Sequence, residues 1–298
     1  MSVYESEEDK IKTNGNMNIV DEESSSLIRE FNKWEDLEEL DSNLLRGIYA
    51  YGFDNPSMIQ QKSILSLFER KDIIAQAQSG TGKTGAFSVG VLQNINTSVN
   101  KVQAIILAPT RELAKQIHDV VSGLAVFMKT FKIHLLVGGT SIEQDMTFLK
   151  NETPHVIVGC PGRVYDMIRR NHIRGSDVKM IVLDEADEML DLGFREDLEF
   201  ILAASPETKS TLMFSATMPK GIVALAQRYQ KNALRIEVEG NEKGHADIEY
   251  RAIRIIAKET EHVVVNLLRL IEAKTSIVFC NTRESVRHLQ STLLERGF

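Results

Sequence analysis

The chain has 298 residues, 43% of them hydrophobic, and a formal net charge of −7 at pH 7. That length supplies one full domain core and part of another. The acidic balance excludes general polyanion binding by bulk charge, so any nucleic-acid contact must come from a local groove.

Residues 1–30 carry eight acids and three bases, a local balance of −5, with few large apolar side chains. They read as a disordered acidic tail. No apolar leader and no run of membrane-spanning length appear, so a soluble protein of the cytoplasm or nucleus is expected. Cys160 and Cys280 each sit in apolar, strand-like surroundings. They read as buried thiols, and no metal-ligand spacing accompanies them.

The apolar run Ile73-Ile74-Ala75 leads into Ala77-Gln78-Ser79-Gly80-Thr81-Gly82-Lys83-Thr84. A strand turning through Gly80 and Gly82 into a helix near Lys83 makes a phosphate cradle, because glycines admit backbone N–H groups and the helix start favours anions. Lys83 then reaches the outer phosphates and the Thr84 hydroxyl ligates Mg²⁺. An ordinary glycine turn is the plain alternative, and Ala77 stands where this loop usually begins with glycine.

Further strands are expected at 104–107, 133–137, 156–159, 180–184, 211–215 and 234–238, with helical spacing at Leu113, Ile117, Val120 and Leu124 and over 162–170 and 220–230. This alternation argues for an open parallel sheet with helices on both faces. Ile181-Val182-Leu183 ends in Asp184-Glu185-Ala186-Asp187, placing carboxylates where parallel sheets bind ligands. Asp184 is then expected to hold Mg²⁺ through water, and Glu185 to orient the attacking water. A solvated acidic turn is the alternative. Residues 239–247 read as a linker. Beyond it, strands at 248–256 and 276–280, a helix near 261–272 and another from Glu284 restart the pattern over about 50 residues, a third of what such a domain needs.

These motifs, in this order, resemble the DEAD-box RNA helicases. The resemblance runs from about residue 31 to the end and also rests on Gly52-Phe53, Pro56, Ile59-Gln60, the segment Pro109 to Ala114, Gly138-Gly139, Pro161-Gly162-Arg163, Ser215-Ala216-Thr217 and Phe279 to Thr282. Ala77 is that family's usual residue. Residues 44–53 are similar to the translation-initiation subfamily, and the part after Glu239 to bacterial members.

The resemblance implies a RecA-like doubly wound parallel sheet, complete in a first domain over 31–240 and truncated in a second over 248–298. It implies ATP and Mg²⁺ as cofactors, RNA as partner, a translation-initiation or other ribonucleoprotein scaffold, a monomer, and ATP hydrolysis coupled to local RNA duplex opening. Gln60 becomes an adenine sensor, with Trp34, or its rival Phe31, stacking on the base; packing is the plain reading of Trp34. Ser79 to Thr84 hold the phosphates. Lys83, Asp184 and Glu185 carry catalysis, with Thr84 and Asp184 at the metal. Pro109, Thr110, Arg111, Gly139, Pro161, Gly162, Arg163 and Arg195 line an RNA groove, although Cys160 stands where the family has threonine. Asp187, Ser215 and Thr217 couple the two sites, unless Ser215 and Thr217 merely cap the next helix. The family's arginine fingers belong to a His-Arg-x-Gly-Arg string that these residues lack. A nonenzymatic ATP- and RNA-binding module is therefore the alternative, and a DNA-acting helicase a further one.

Overall fold

The structure, a computed structural model, describes residues 19–21, 31–238, 251–255, 259–271 and 275–298. The chain divides into two units, Met1–Asn241 and Glu242–Phe298.

Among the described residues the first unit is built on eight strands: β1 (Ile19–Asp21), β2 (Ile73–Ala77), β3 (Ala104–Leu107), β4 (Ile133–Leu136), β5 (Val156–Gly159), β6 (Met180–Asp184), β7 (Ser210–Ser215) and β8 (Ala233–Val238). They lie in the order β1-β8-β2-β7-β6-β3-β5-β4, and every neighbouring pair is parallel. Parallel strands must all be covered on both faces, which is why they read as continuous apolar runs. Alternate residues part cleanly. Ala104, Ile106, Met180, Val182, Leu212 and Phe214 enter one core, while Ile105, Leu107, Ile181, Leu183 and Met213 enter the other.

Helices α1 (Ser42–Tyr51), α2 (Met58–Phe68), α3 (Lys83–Gln93) and α4 (Arg111–Leu124) cover the first face. Helices α5 (Ile142–Asn151), α6 (Pro161–Arg169), α7 (Ala186–Asp191), α8 (Arg195–Ala203) and α9 (Lys220–Tyr229) cover the second. Because all strands run the same way, the loops after β2 through β7 emerge at one edge of the sheet. That edge carries the first unit's motifs singled out above from Ala77 to Thr217, while the segment from Trp34 to Gln60 precedes β2 and Phe279 to Thr282 belongs to the second unit.

Two expectations change. Within the segment read as a disordered tail, Ile19–Asp21 forms a strand, pairing with Ala233, Leu234 and Arg235 of β8. These three residues pair with the first half of β8 and are too few to show in composition; the other residues of 1–30 lie outside the described ones. Among the described residues of the second unit the helices are Thr260–Leu270 and Arg283–Glu295, tied by His288 Nε2 to Glu261 Oε1 at 2.7 Å. The strand expected at 276–280 is not formed, nor any strand over 251–255. A strand needs a partner for its backbone, and among the described residues of this unit none pairs with it. Ile277 and Phe279 are accordingly 76% and 89% exposed.

Candidate active site

The phosphate loop forms as its glycines require. Gly80 and Gly82 take φ of 83° and 99°, which glycine adopts without strain, and α3 begins at Lys83 with Gly82 as its cap. Thr81 Oγ1 donates to the Gln78 carbonyl at 2.9 Å, closing the turn. Ser79 and Gly80 are exposed, Thr81, Gly82 and Thr84 half-buried, and Lys83 buried.

Beside Lys83 lies Asp184, at the end of β6. Asp184 is buried, and its Oδ1 has no hydrogen-bond partner. Burial pushes its pKa up to about 6, against the pull of Lys83 and with a further push from Glu185. A buried oxygen left unpaired asks for a ligand. Glu185 follows in the left-handed region, φ 52°, which a non-glycine residue adopts only under constraint. Among the described residues no three His, Cys, Asp or Glu side chains form a metal cluster on their own. A Mg²⁺ ion fits this donor set all the same, since it keeps several waters and completes its shell with substrate phosphates and one or two protein oxygens.

Gln60, in the first turn of α2, is buried against the phosphate loop. Its Oε1 accepts from the Ser57 amide at 2.7 Å and its Nε2 donates to the Gly82 carbonyl at 3.2 Å. A Cβ at Gly85 would come within 2.5 Å of Gln60 Nε2 and 2.8 Å of Phe53 Cε2. The glycine after Lys83-Thr84 thus lets the amide and the ring settle on α3. The aromatic residue beside Gln60 is Phe53. Trp34 does not match its expected role: it is fully buried, its ring 6.3 Å from that of Phe31, so no base stacks on it. Phe31 is buried too. A 3₁₀ turn over Trp34–Asp36 directs the indole into the core, which the sequence pattern did not distinguish from an exposed platform.

The loops after β3, β4 and β5 come together. Pro109 and Thr110 lead into α4, and the Thr110 hydroxyl caps it, accepting from the Leu113 amide at 3.2 Å. The Arg111 guanidinium lies over Gly138 and Gly139: a Cβ at Gly139 would sit 2.1 Å from Arg111 Nη1. Arg163 is a correction. Its side chain is 8% exposed and turned inward, paired with Asp145 and donating to Thr140. A buried guanidinium needs a buried anion, and the acid that supplies it, Asp145, carried no motif. Gly162 lies against α8, where a Cβ would be 3.5 Å from Asp197 Oδ2. Arg195 rests over Gly221 and faces Glu199 at 3.8 Å, so its neighbours are α8 and α9 rather than Arg111. Cys160 is buried ahead of α6 and gives that helix no side-chain cap; burial pushes its thiol pKa up.

The loops after β6 and β7 are joined through Asp187, which accepts from the Thr217 hydroxyl and amide, while its own amide donates to Ser215 Oγ at 3.3 Å. Gln76 of β2 adds a link unseen in the sequence, donating to the Ala216 carbonyl at 3.3 Å.

The profile of the DEAD/DEAH box helicases matches residues 57–225. The chain belongs to this family. It is 42% identical over 285 residues to "ATP-dependent RNA helicase eIF4A" of Saccharomyces cerevisiae, covering 94% of this chain and 71% of that protein. To the protein of the same name from Pyricularia oryzae it is 44% identical over 260 residues, covering 87% and 65%. This DEAD-box chain thus spans about two thirds of the length of the relatives it matches. Among solved structures it is similar to a DEAD box protein from Methanococcus jannaschii, with TM-score 0.67 and 37% identity, covering 90% of this chain and 72% of that one. It is also similar to Saccharomyces cerevisiae Dbp5 bound to RNA and ADP BeF3, with TM-score 0.72 and 33% identity, covering 89% and 67%.

Proposed function

We propose that the chain is the ATP-binding part of an ATP-dependent RNA helicase, in which hydrolysis of ATP is coupled to local opening of an RNA duplex. The observation that carries this is the buried, unpartnered Asp184 Oδ1 beside Lys83, at the edge where the Gly80–Gly82 loop opens. Neutral burial of that carboxylate would be cheaper. A site that keeps it is built to receive a cation and the phosphates that come with it.

In this reading Lys83 binds the outer phosphates, Thr84 and Asp184 hold Mg²⁺, and Gln60 senses the base while bracing the loop. The metal supplies charge neutralisation on the phosphates. Glu185 orients the attacking water and takes its proton. Arg111 and the Gly138–Gly139 backbone meet the RNA strand, with Pro109, Thr110, Pro161, Gly162 and Arg195 beside it. Asp187, held by Ser215 and Thr217, transmits the state of one site to the other. The similar Dbp5 structure is bound to RNA, which supports RNA as the partner. A cytoplasmic, monomeric protein working on a ribonucleoprotein scaffold completes the proposal.

The test is phosphate release from Mg·ATP with and without single-stranded RNA. RNA-stimulated release that Glu185→Gln abolishes, with nucleotide binding retained, is expected. Binding of both ligands with no release above the Glu185→Gln background would make this chain a binding module instead.

A further inference from the structure

We infer that Asp145 is a positioning residue for RNA: by clamping Arg163 it holds the turn over 137–140, and so fixes the Gly138–Gly139 backbone beneath Arg111. The inference rests on the RNA reading above and names a residue that no motif marks.

Arg163 uses both ends of its fork inside the protein. Nη1 pairs with Asp145 and donates to Thr140 Oγ1 at 3.2 Å, and Nη2 donates to the Thr140 carbonyl at 2.9 Å. Both charged side chains are 8% exposed. Asp145 is anchored on its other side, where Oδ1 lies 3.3 Å from His134 Nε2. The His134 ring is in turn stacked on Phe148 at 3.9 Å, the planes 8° apart. Burial pushes the His134 pKa down, against the pull of Asp145, and Nε2, facing a carboxylate oxygen, is the donor of that pair. Thr140 passes the restraint on, its hydroxyl donating to the Val137 carbonyl at 2.9 Å. Between these two residues lie Gly138 and Gly139, the latter at φ 82°. Two glycines in a turn are conformationally free unless something outside holds them. Here β4, α5 and α6 do so through one buried ion pair.

The start of α6 makes the clamp more necessary. Thr110 and Ser141 cap α4 and α5 with their hydroxyls, whereas Cys160 gives α6 no side-chain cap. Arg163, in the first turn of α6, is then a principal tie between that turn and the β4 loop.

A rival account has the opposite sign. If Arg163 is itself a phosphate ligand, Asp145 competes with RNA, and removing its charge frees the arginine. The experiment is a titration of labelled single-stranded oligouridylate, with a Mg²⁺-bound nonhydrolysable ATP analogue present, into wild type, Asp145→Asn, Arg163→Gln and the double variant over a salt series. The clamp predicts that each single variant raises the Kd for RNA about tenfold, since one charge-assisted contact is lost. It predicts the double variant no worse than either, because both act on one element. The slope of log Kd against log salt stays as in wild type, and so does affinity for the analogue. Equal or tighter RNA binding by Asp145→Asn overturns the clamp, as does a slope reduced by about 0.7, one phosphate contact, in Arg163→Gln. Should Asp145→Asn lose analogue affinity, Thr140→Val reads the same clamp, and unchanged RNA affinity there overturns it. A wild-type chain that binds no RNA would overturn the RNA reading and this inference together, an outcome distinct from all of these.

Discussion

Asp187 accepts two hydrogen bonds from Thr217, from the amide at 2.9 Å and from the hydroxyl at 2.7 Å. These bonds fasten the loop after β7 to the loop carrying Asp184 and Glu185. Burial by itself would raise the Asp187 pKa, but the bonds from Thr217 and Ser215 outweigh it and hold the carboxyl below its usual value.

Thr217→Val is therefore expected to leave nucleotide affinity within about twofold and to reduce the stimulation of turnover by RNA. Stability falls by about 1 kcal/mol, the worth of one such bond. The sign with pH follows from the depressed pKa. The contribution is present above the unfolded carboxylate value and lost as pH falls through the folded one, so the variant's deficit shrinks in acid. Denaturant unfolding at neutral and acidic pH, paired with phosphate-release assays, measures both effects.

Asp184 titrates the other way. Its pKa rises from 3.8 to about 6, so its ionised form is the costly one in the folded state. The cost is absent below pH 3.8, grows as pH rises to about 6, and is then constant. Asp184→Asn should stabilise the metal-free protein at pH 7, by up to about 3 kcal/mol. It should also abolish the extra stabilisation that Mg²⁺ gives to bound ATP. Thermal unfolding across pH, with and without Mg·ATP, would show a variant less stable than wild type at pH 7 if the buried charge is instead fully compensated.

Gln60 braces the phosphate loop, in addition to the base-sensing role proposed for it. Gln60→Ala removes an acceptor from the Ser57 amide and a donor from the Gly82 carbonyl. Loss of ATP-over-GTP preference is expected together with about tenfold weaker ADP binding. Direct binding measurements with ADP, ATP and GTP separate the two effects. A change in base preference with ADP affinity intact would remove the bracing role.

Cys160→Thr supplies the hydroxyl that α6 lacks. A gain of about 1 kcal/mol in unfolding free energy is expected, the usual worth of an N-cap. No gain in thermal or denaturant unfolding would mean the first turn is already satisfied by its other ties.

The parallel sheet was legible because its central strands, β3, β5 and β6, are continuous buried apolar runs leading into motifs, as with Ile181 to Asp184. The tie between Gln60 and Ser57 was half visible, since Ser57-x-x-Gln60 has the spacing of a capping box. Trp34 was not legible: a lone tryptophan before a helix has the same pattern whether its ring faces a ligand or the core. Asp145 was hidden because its partner, Arg163, comes from another helix, and long-range charge pairing leaves no trace in local spacing. The strand expected at 276–280 shows the converse. Its composition is right, but β structure is a property of pairs, and composition does not supply the neighbour.

Calorimetric titration of Mg·ATP into the wild-type chain and Lys83→Ala tests the central claim most directly. Lys83 is buried at the loop beside the unpartnered Asp184, so its loss removes a desolvated phosphate contact and leaves that carboxylate without its cation. Affinity at least about tenfold weaker than wild type is predicted. Equal affinity in the two proteins would contradict the assignment of the Gly80–Thr84 loop as the nucleotide site.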